Sequence, residues 1–149
     1  KVAVQGFNSK LNFLRNTYSI DENSNEEKVS VFYQVWNAPL MTQNGNTFIS
    51  RAIEVCGGVN IFSDLPMTNP QVSIESILVQ NPQVIVASGM GQSRPEWLDD
   101  WRQYKTLQAV QNDQLYHILP ELFQRPTSRF LVGTQQLCEA MEAARNIKN

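Results

Sequence analysis

Basic residues give this sequence no surplus: twelve lysines and arginines stand against fourteen aspartates and glutamates, a net charge of −2. A nucleic-acid partner would need a basic face, so no nucleic acid is expected among its partners. Histidine is nearly absent, with His117 alone, and cysteine occurs twice. No Cys-x-x-Cys, His-x-x-x-His or Gly-x-x-x-x-Gly-Lys spacing is present. That removes the common zinc, redox and phosphate-cradling motifs, and neither a metal site nor a catalytic residue is expected. No apolar run approaches the length of a bilayer-spanning helix, and no stretch has the residue order of a signal peptide. An initiator Met is lacking too: the chain opens on Lys1. We expect either that a leader was removed or that this is a piece of something longer.

What is present reads as one domain with a sizeable core: 149 residues, 42% hydrophobic. In residues 1–18, Val4, Phe7, Leu11, Leu14 and Tyr18 recur at steps of three and four, one face of a helix. No N-cap residue opens it, as if the helix were entered midway. The polar stretch 19–28 reads as a linker. VSVFYQVW (29–36) is β-branched and aromatic, a mostly buried strand. Asn46 or Thr47 then caps a helix whose apolar face is Phe48, Ile49, Ala52, Ile53 and Cys56, with Gly57 as its stop.

The tetrapeptide Asn-Pro-Gln-Val occurs twice, at 69–72 and 81–84. The first leads into Ser73, a helix cap with Glu75 in the first turn. The second ends that helix at Pro82 and opens a buried strand, 83–88. The match is punctuation, not a repeat. Short helices at 96–104 and 106–112, a strand at 114–119 and a long final helix from Thr127 complete the pattern. Strands alternating with helices predict an α/β fold, a mainly parallel sheet covered on both faces. Ligands collect at the C-terminal ends of such strands, here residues 36–41, 88–94 and 120–125. The Gly-Met-Gly at 89–91 is too short for a nucleotide fingerprint and reads as a loop. LFQRPTSR (122–129) reads as an anion-binding loop or as a charged turn. Cys56 and Cys138 lie on the apolar sides of two helices, and the residues alone leave two readings open, buried thiols or a bridge.

VCGGVNIF, PQVSIESILVQNPQVIVAS, FQRPTSR and QQLCEAMEAAR together resemble the C-terminal lobe of bacterial periplasmic substrate-binding proteins. The group is the one whose lobes are joined by a single long helix and which serves vitamin B12, haem, siderophore and metal importers. The pairing of QQLC with VCGG points to its cobalamin branch. The resemblance implies a three-layer, Rossmann-like lobe at 29–149, preceded by the end of the connecting helix at 1–18, with the N-terminal lobe absent. It implies a periplasmic, or exported and membrane-anchored, receptor. That receptor captures a corrinoid or related tetrapyrrole, has no resident cofactor, and delivers its ligand to the permease dimer of an ABC importer. By the same resemblance Cys56 and Cys138 form a disulfide and Glu75 docks on the permease. Arg125, Glu121 (where the family has Asp), Phe123, Trp36 and Met41 lie on or beside the ligand loops. Asn69 stands where the cobalamin branch has a tryptophan. A haem or ferric-siderophore receptor is the alternative within the family. A chelatase-like α/β enzyme is the alternative outside it, with His117 and Glu121 as its only candidate acid–base pair.

Overall fold

The computed structural model of the chain describes residues 9, 12–14, 16–17, 28–37, 39–88, 95–118 and 128–147. In chain order these form strand β1 (Val29–Gln34), a small hairpin of β2 (Trp36–Asn37) and β3 (Leu40–Met41), and helix α1 (Phe48–Val55). Strand β4 (Gly58–Asn60), helix α2 (Ile74–Gln80) and strand β5 (Val84–Ala87) follow. A 3-10 helix (Glu96–Gln103), helix α3 (Gln108–Gln111), strand β6 (Leu115–His117) and helix α4 (Ser128–Ile147) complete the order. The main sheet runs β4-β1-β5-β6, and every pair in it is parallel.

The alternation of side chains along a strand explains why β1 and β5 read as continuous apolar runs. Val29, Val31 and Tyr33 of β1, with Val84 and Val86 of β5, face one core shared with α1 and α4. Phe32, Ile85 and Ala87 point the other way, into a second core with Ile77 of α2, Leu98 and Trp101 of the 3-10 helix, and Leu107. A sheet buried on both faces has no polar side, so neither strand shows a polar alternation. Edge-to-face contacts of Phe32 with Phe62 and Trp101, at ring separations of 5.9 and 5.8 Å, fix the second core.

Helix ends follow their local chemistry. Thr47 caps α1, its side chain accepting from the Ser50 N–H. Gly57 leaves that helix at φ 80°, a conformation open to glycine. Gly58 is needed for a different reason. A Cβ there would stand 1.9 Å from Met141 Cε, 3.0 Å from Ile53 Cγ2 and 3.1 Å from the Val29 carbonyl. The paired glycines therefore turn the chain and let β4 lie against β1 under α4. Ser73 caps α2. Asn81 ends α2 in the left-handed region at φ 48°, where its side-chain oxygen accepts the Gln108 N–H at 2.8 Å. One residue thus closes α2 and caps α3, whose own N-cap position is Leu107.

Two elements differ from the sequence reading. The expected strand 29–36 stops at Gln34, because the Val35 N–H turns to the Met41 carbonyl and starts the hairpin. The expected helix 96–104 is a 3-10 helix. Its three-residue period stacks Leu98 and Trp101 on one side, and both enter the second core. Ahead of β1, residues 12–14, 16 and 17 are helical, and Leu14 is buried against Val55 and Leu131. Of the expected linker, residues 19–27 lie outside the described residues. No described helix is long and apolar enough to cross a membrane.

Burial pushes the Tyr33 hydroxyl up to about 12, its hydrogen bond with Ser88 pulling the other way. A folded-state value above the ordinary 10 means that the native state holds this proton more tightly than the unfolded chain. The resulting stability is intact below pH 10 and is lost as pH rises towards 12. We expect about 2–3 kcal/mol to disappear over that window. Urea midpoints measured from pH 9 to 12 should fall accordingly, and Tyr33→Phe should flatten the decline. An equal decline in the variant would assign it to other groups.

Candidate ligand-binding face

At its carboxyl end β1 passes directly into the hairpin, and a third segment joins it. Trp36 pairs with Met41 across the hairpin, and Met41 bridges to Gln71 in antiparallel register. Backbone hydrogen bonds extend that register on both sides, from Val72 to Leu40 (2.9 Å), Thr42 to Pro70 (3.1 Å) and Asn44 to Thr68 (3.0 Å). Residues 36–37, 40–44 and 68–72 are therefore one twisted ribbon at the end of the sheet.

Period-two alternation sorts its side chains. Trp36, Met41 and Gln71 form one row. Gln43 and Asn69 form the next, joined by a hydrogen bond from Gln43 Nε2 to Asn69 Oδ1 at 3.1 Å. Trp36 is 36% exposed; Asn69 and Gln71 are exposed, and Met41 and Gln43 half-buried. On the reverse side Thr42 and Pro70 are buried, with Leu40 and Val72 packed on the second core. The sequence candidates Trp36, Met41 and Asn69 thus share one exposed face, with an aromatic and thioether end and an amide end.

Two buried amides hold this face in place. Gln34, 2% exposed at the tip of β1, accepts from Trp101 Nε1 at 2.7 Å. It donates to the Trp36 carbonyl at 3.3 Å. Asn60 donates to the Gln43 carbonyl at 2.7 Å and to Ser50 Oγ at 2.8 Å, and its Oδ1 accepts the Phe62 N–H at 2.9 Å. Sequence reasoning assigned no role to Gln34, Gln43 or Gln71. A glutamine closing the apolar run VFYQ was the available signal for the first, since a polar group on a strand buried on both faces must find a partner.

The remaining candidates are dispersed. Glu75 stands solvent-exposed in the first turn of α2. Cys56 and Cys138 are bonded at an S–S distance of 2.04 Å, tying α1 to α4 within the first core. His117 ends β6 opposite Ala87, half-buried. Glu121, Phe123 and Arg125, and with them the pairing of His117 with Glu121, lie outside the described residues. So do residues 89–94 of the second strand-end loop. Among the described residues no group of acidic, histidine or cysteine side chains gathers to hold a metal.

A family model described as periplasmic binding protein matches residues 2–122. The vitamin B12-binding protein of Vibrio cholerae is 35% identical over 143 residues, which cover 95% of this chain and 49% of that protein. Its counterpart in Yersinia pestis is 31% identical over 139 residues, 93% of this chain and 46% of that one. Among solved structures, the periplasmic vitamin B12 binding protein BtuF of Vibrio cholerae superposes with a TM-score of 0.77 at 34% identity, covering 94% of this chain and 52% of the other. A possible iron-binding periplasmic protein of Staphylococcus epidermidis superposes at 0.76 with 22% identity, over 93% of this chain and 53% of that one, which is a likeness of fold. The chain spans about half the length of the relatives it matches.

Proposed function

From the premise that the chain belongs to the periplasmic binding protein family, we propose that it is the ligand-capturing lobe of a receptor that serves an ABC importer. The ligand is cobalamin or another corrinoid. Residues 1–18 are the end of the helix joining two lobes, and 29–149 are the C-terminal lobe. The observation that carries this reading is the 35% identity, across 95% of the chain, to a protein named for vitamin B12 binding. Membership of the family places the chain in the periplasm, where a buried disulfide is chemically at home. The family is one of solute receptors, and a receptor needs a rigid platform and no nucleophile. The proposed ligand face is Trp36, Met41 and Asn69, completed by Phe123, Glu121 and Arg125. The guanidinium of Arg125 donates to acceptors on the ligand's rim. A second lobe supplies the opposite wall, since large planar ligands bind with most of their surface buried.

One observation favours a variant of this reading. Asn69 and Gln43 offer amides where an aromatic would offer a flat apolar contact. That edge suits a ligand whose rim is rich in hydrogen-bonding groups, which favours a modified corrinoid or a ferric siderophore over haem, the remaining alternative.

Calorimetry on the full-length receptor with cobalamin, haem and a ferric siderophore separates these. Cobalamin is expected to bind, and Trp36→Ala to weaken it by about tenfold or more through lost contact area. Glu75→Ala is expected to lower uptake at limiting receptor while leaving that affinity unchanged. Binding of haem alone would keep the receptor class and overturn the corrinoid. A folded receptor that binds none of the three would overturn the reading altogether.

A further inference from the structure

The ribbon that carries the ligand face is built without charge. Residues 36–44 and 68–72 contain no lysine, arginine, aspartate or glutamate. Beside Trp36 and Met41, the polar side chains on the exposed face are the amides of Gln43, Asn69 and Gln71. A carboxylate on the ligand's rim, set against this surface, would lose water and gain no opposite charge from the ribbon in return. A neutral group that both donates and accepts would lose less and find partners.

Two of these amides are already joined, and that bond fixes what each has left to offer. Gln43 Nε2 donates to Asn69 Oδ1 at 3.1 Å. Gln43 Oε1 and Asn69 Nδ2 have no partner among the described residues, so the pair presents one acceptor and one donor side by side. Turning both amides over exchanges their roles and leaves the same combination. Turning only one sets two oxygens, or two N–H groups, against each other. The complement is a group with an acceptor and a donor on one carbon, which is a primary carboxamide. Its oxygen takes the Asn69 N–H, and its own N–H meets Gln43 Oε1. A carboxylate has acceptors only and would bring an anionic oxygen against Gln43 Oε1. The Gln43 backbone is held in place, its carbonyl accepting from Asn60 at 2.7 Å. A large ligand seated on Trp36 and Met41 also keeps water from the neighbouring amide row, so an unmatched contact there stays unmatched.

We infer that the Gln43–Asn69 pair determines specificity at the ligand face, by reading a neutral primary carboxamide on the ligand's rim and rejecting a carboxylate at the same position. The occupant rests on the receptor reading above; the pairing of one donor with one acceptor does not. Such a pair admits a fully amidated corrinoid and turns away the acid formed by hydrolysis of that one amide, whatever affinity Trp36 contributes.

Calorimetry on the full-length receptor compares cyanocobalamin with its separated mono-acids, in each of which one rim amide is hydrolysed to a carboxylate. One mono-acid is expected to bind about tenfold more weakly than cyanocobalamin, and the others within about twofold of it. Asn69→Ala is expected to erase that difference. Gln43→Lys, which replaces the acceptor with a cation, is expected to erase or reverse it. Trp36→Ala, by contrast, should weaken all of these ligands alike and keep their ratio. Three results would overturn the inference and leave the receptor reading intact: every mono-acid binding as cyanocobalamin does, an equal loss in all of them, or a difference that survives both amide variants. A folded receptor that binds haem but not cyanocobalamin, or binds neither, would overturn the corrinoid reading and the carboxamide assignment with it.

Discussion

Replacing both Cys56 and Cys138 with alanine is expected to lower the stability of the folded chain by about 4–5 kcal/mol, the largest effect of any change considered. The bond spans 82 residues, and closing a loop of that length removes roughly this much entropy from the unfolded chain. In a chain of this size the loss corresponds to a fall in melting temperature of about 10–15 °C. The double alanine variant is the right probe, because a single replacement leaves a lone buried thiol. Both cysteines are fully buried, so the bond should resist mild reductant in the folded state and yield only once the chain opens. Urea denaturation of wild type, wild type with reductant, and the variant gives the comparison. Alkylation before reduction gives the redox state directly. Two labelled thiols in the untreated, exported protein would sink the bridge, and a stability loss under about 1 kcal/mol would show that the reduced, unfolded chain keeps structure in this loop.

The alternation of strands and helices was legible because each element is closed by local punctuation. Thr47 and Gly57 bound α1, Ser73 opens α2, and Pro82 separates α2 from β5. The order of the strands was not, since β4 and β5 both lie beside β1 and nothing local to any one of them encodes its neighbour. The hairpin was missed for a physical reason. Val35 and Trp36 have the same β-forming chemistry as the strand before them, and only the backbone bond from Val35 to Met41, six residues on, separates two elements there. The 3-10 helix was read as a helix because Leu98 and Trp101 are three apart, a spacing common to both helix types.

At the ligand face the sequence supplied Trp36, Met41 and Asn69 by resemblance, and what it withheld was their common surface. That surface depends on the pairing of residues 40–44 with 68–72, a contact between segments joined through α1 and β4. The amides that brace it were hidden for the same reason. Gln34 looks like a polar residue at a strand end until its partner Trp101, 67 residues on, is in view. Asn60 sat inside the Gly-Gly-Val-Asn-Ile-Phe motif with no stated role, although its burial explains why an amide is needed there.

That burial makes Asn60→Leu the second severe substitution, with an expected loss of about 3–4 kcal/mol. Asn60 is 2% exposed and uses both ends of its amide: two N–H bonds reach the Gln43 carbonyl and Ser50 Oγ, and its oxygen takes the Phe62 N–H. Ser50 in turn donates to the Asn44 carbonyl at 2.6 Å, and Asn44 donates to the Leu65 carbonyl at 2.8 Å. Leucine fills nearly the same volume, so the cost is not a cavity. It is the stranding of groups that water reaches poorly, each worth about 1–3 kcal/mol when left unpaired. Since the network is shared, Ser50→Ala and Asn60→Leu should not add, and their coupling in a double-mutant cycle should reach about 1 kcal/mol. The same variant carries a functional consequence. Gln43, whose carbonyl Asn60 anchors, also holds Asn69 on the proposed ligand face, so freeing it should loosen the amide end of the ribbon while the Trp36 end stays fixed by Gln34. Ligand affinity at a temperature where the variant is folded should fall, and a second change at Asn69 should then cost little more. A variant that loses stability but keeps full affinity would confine Asn60 to the core and detach the ribbon from it.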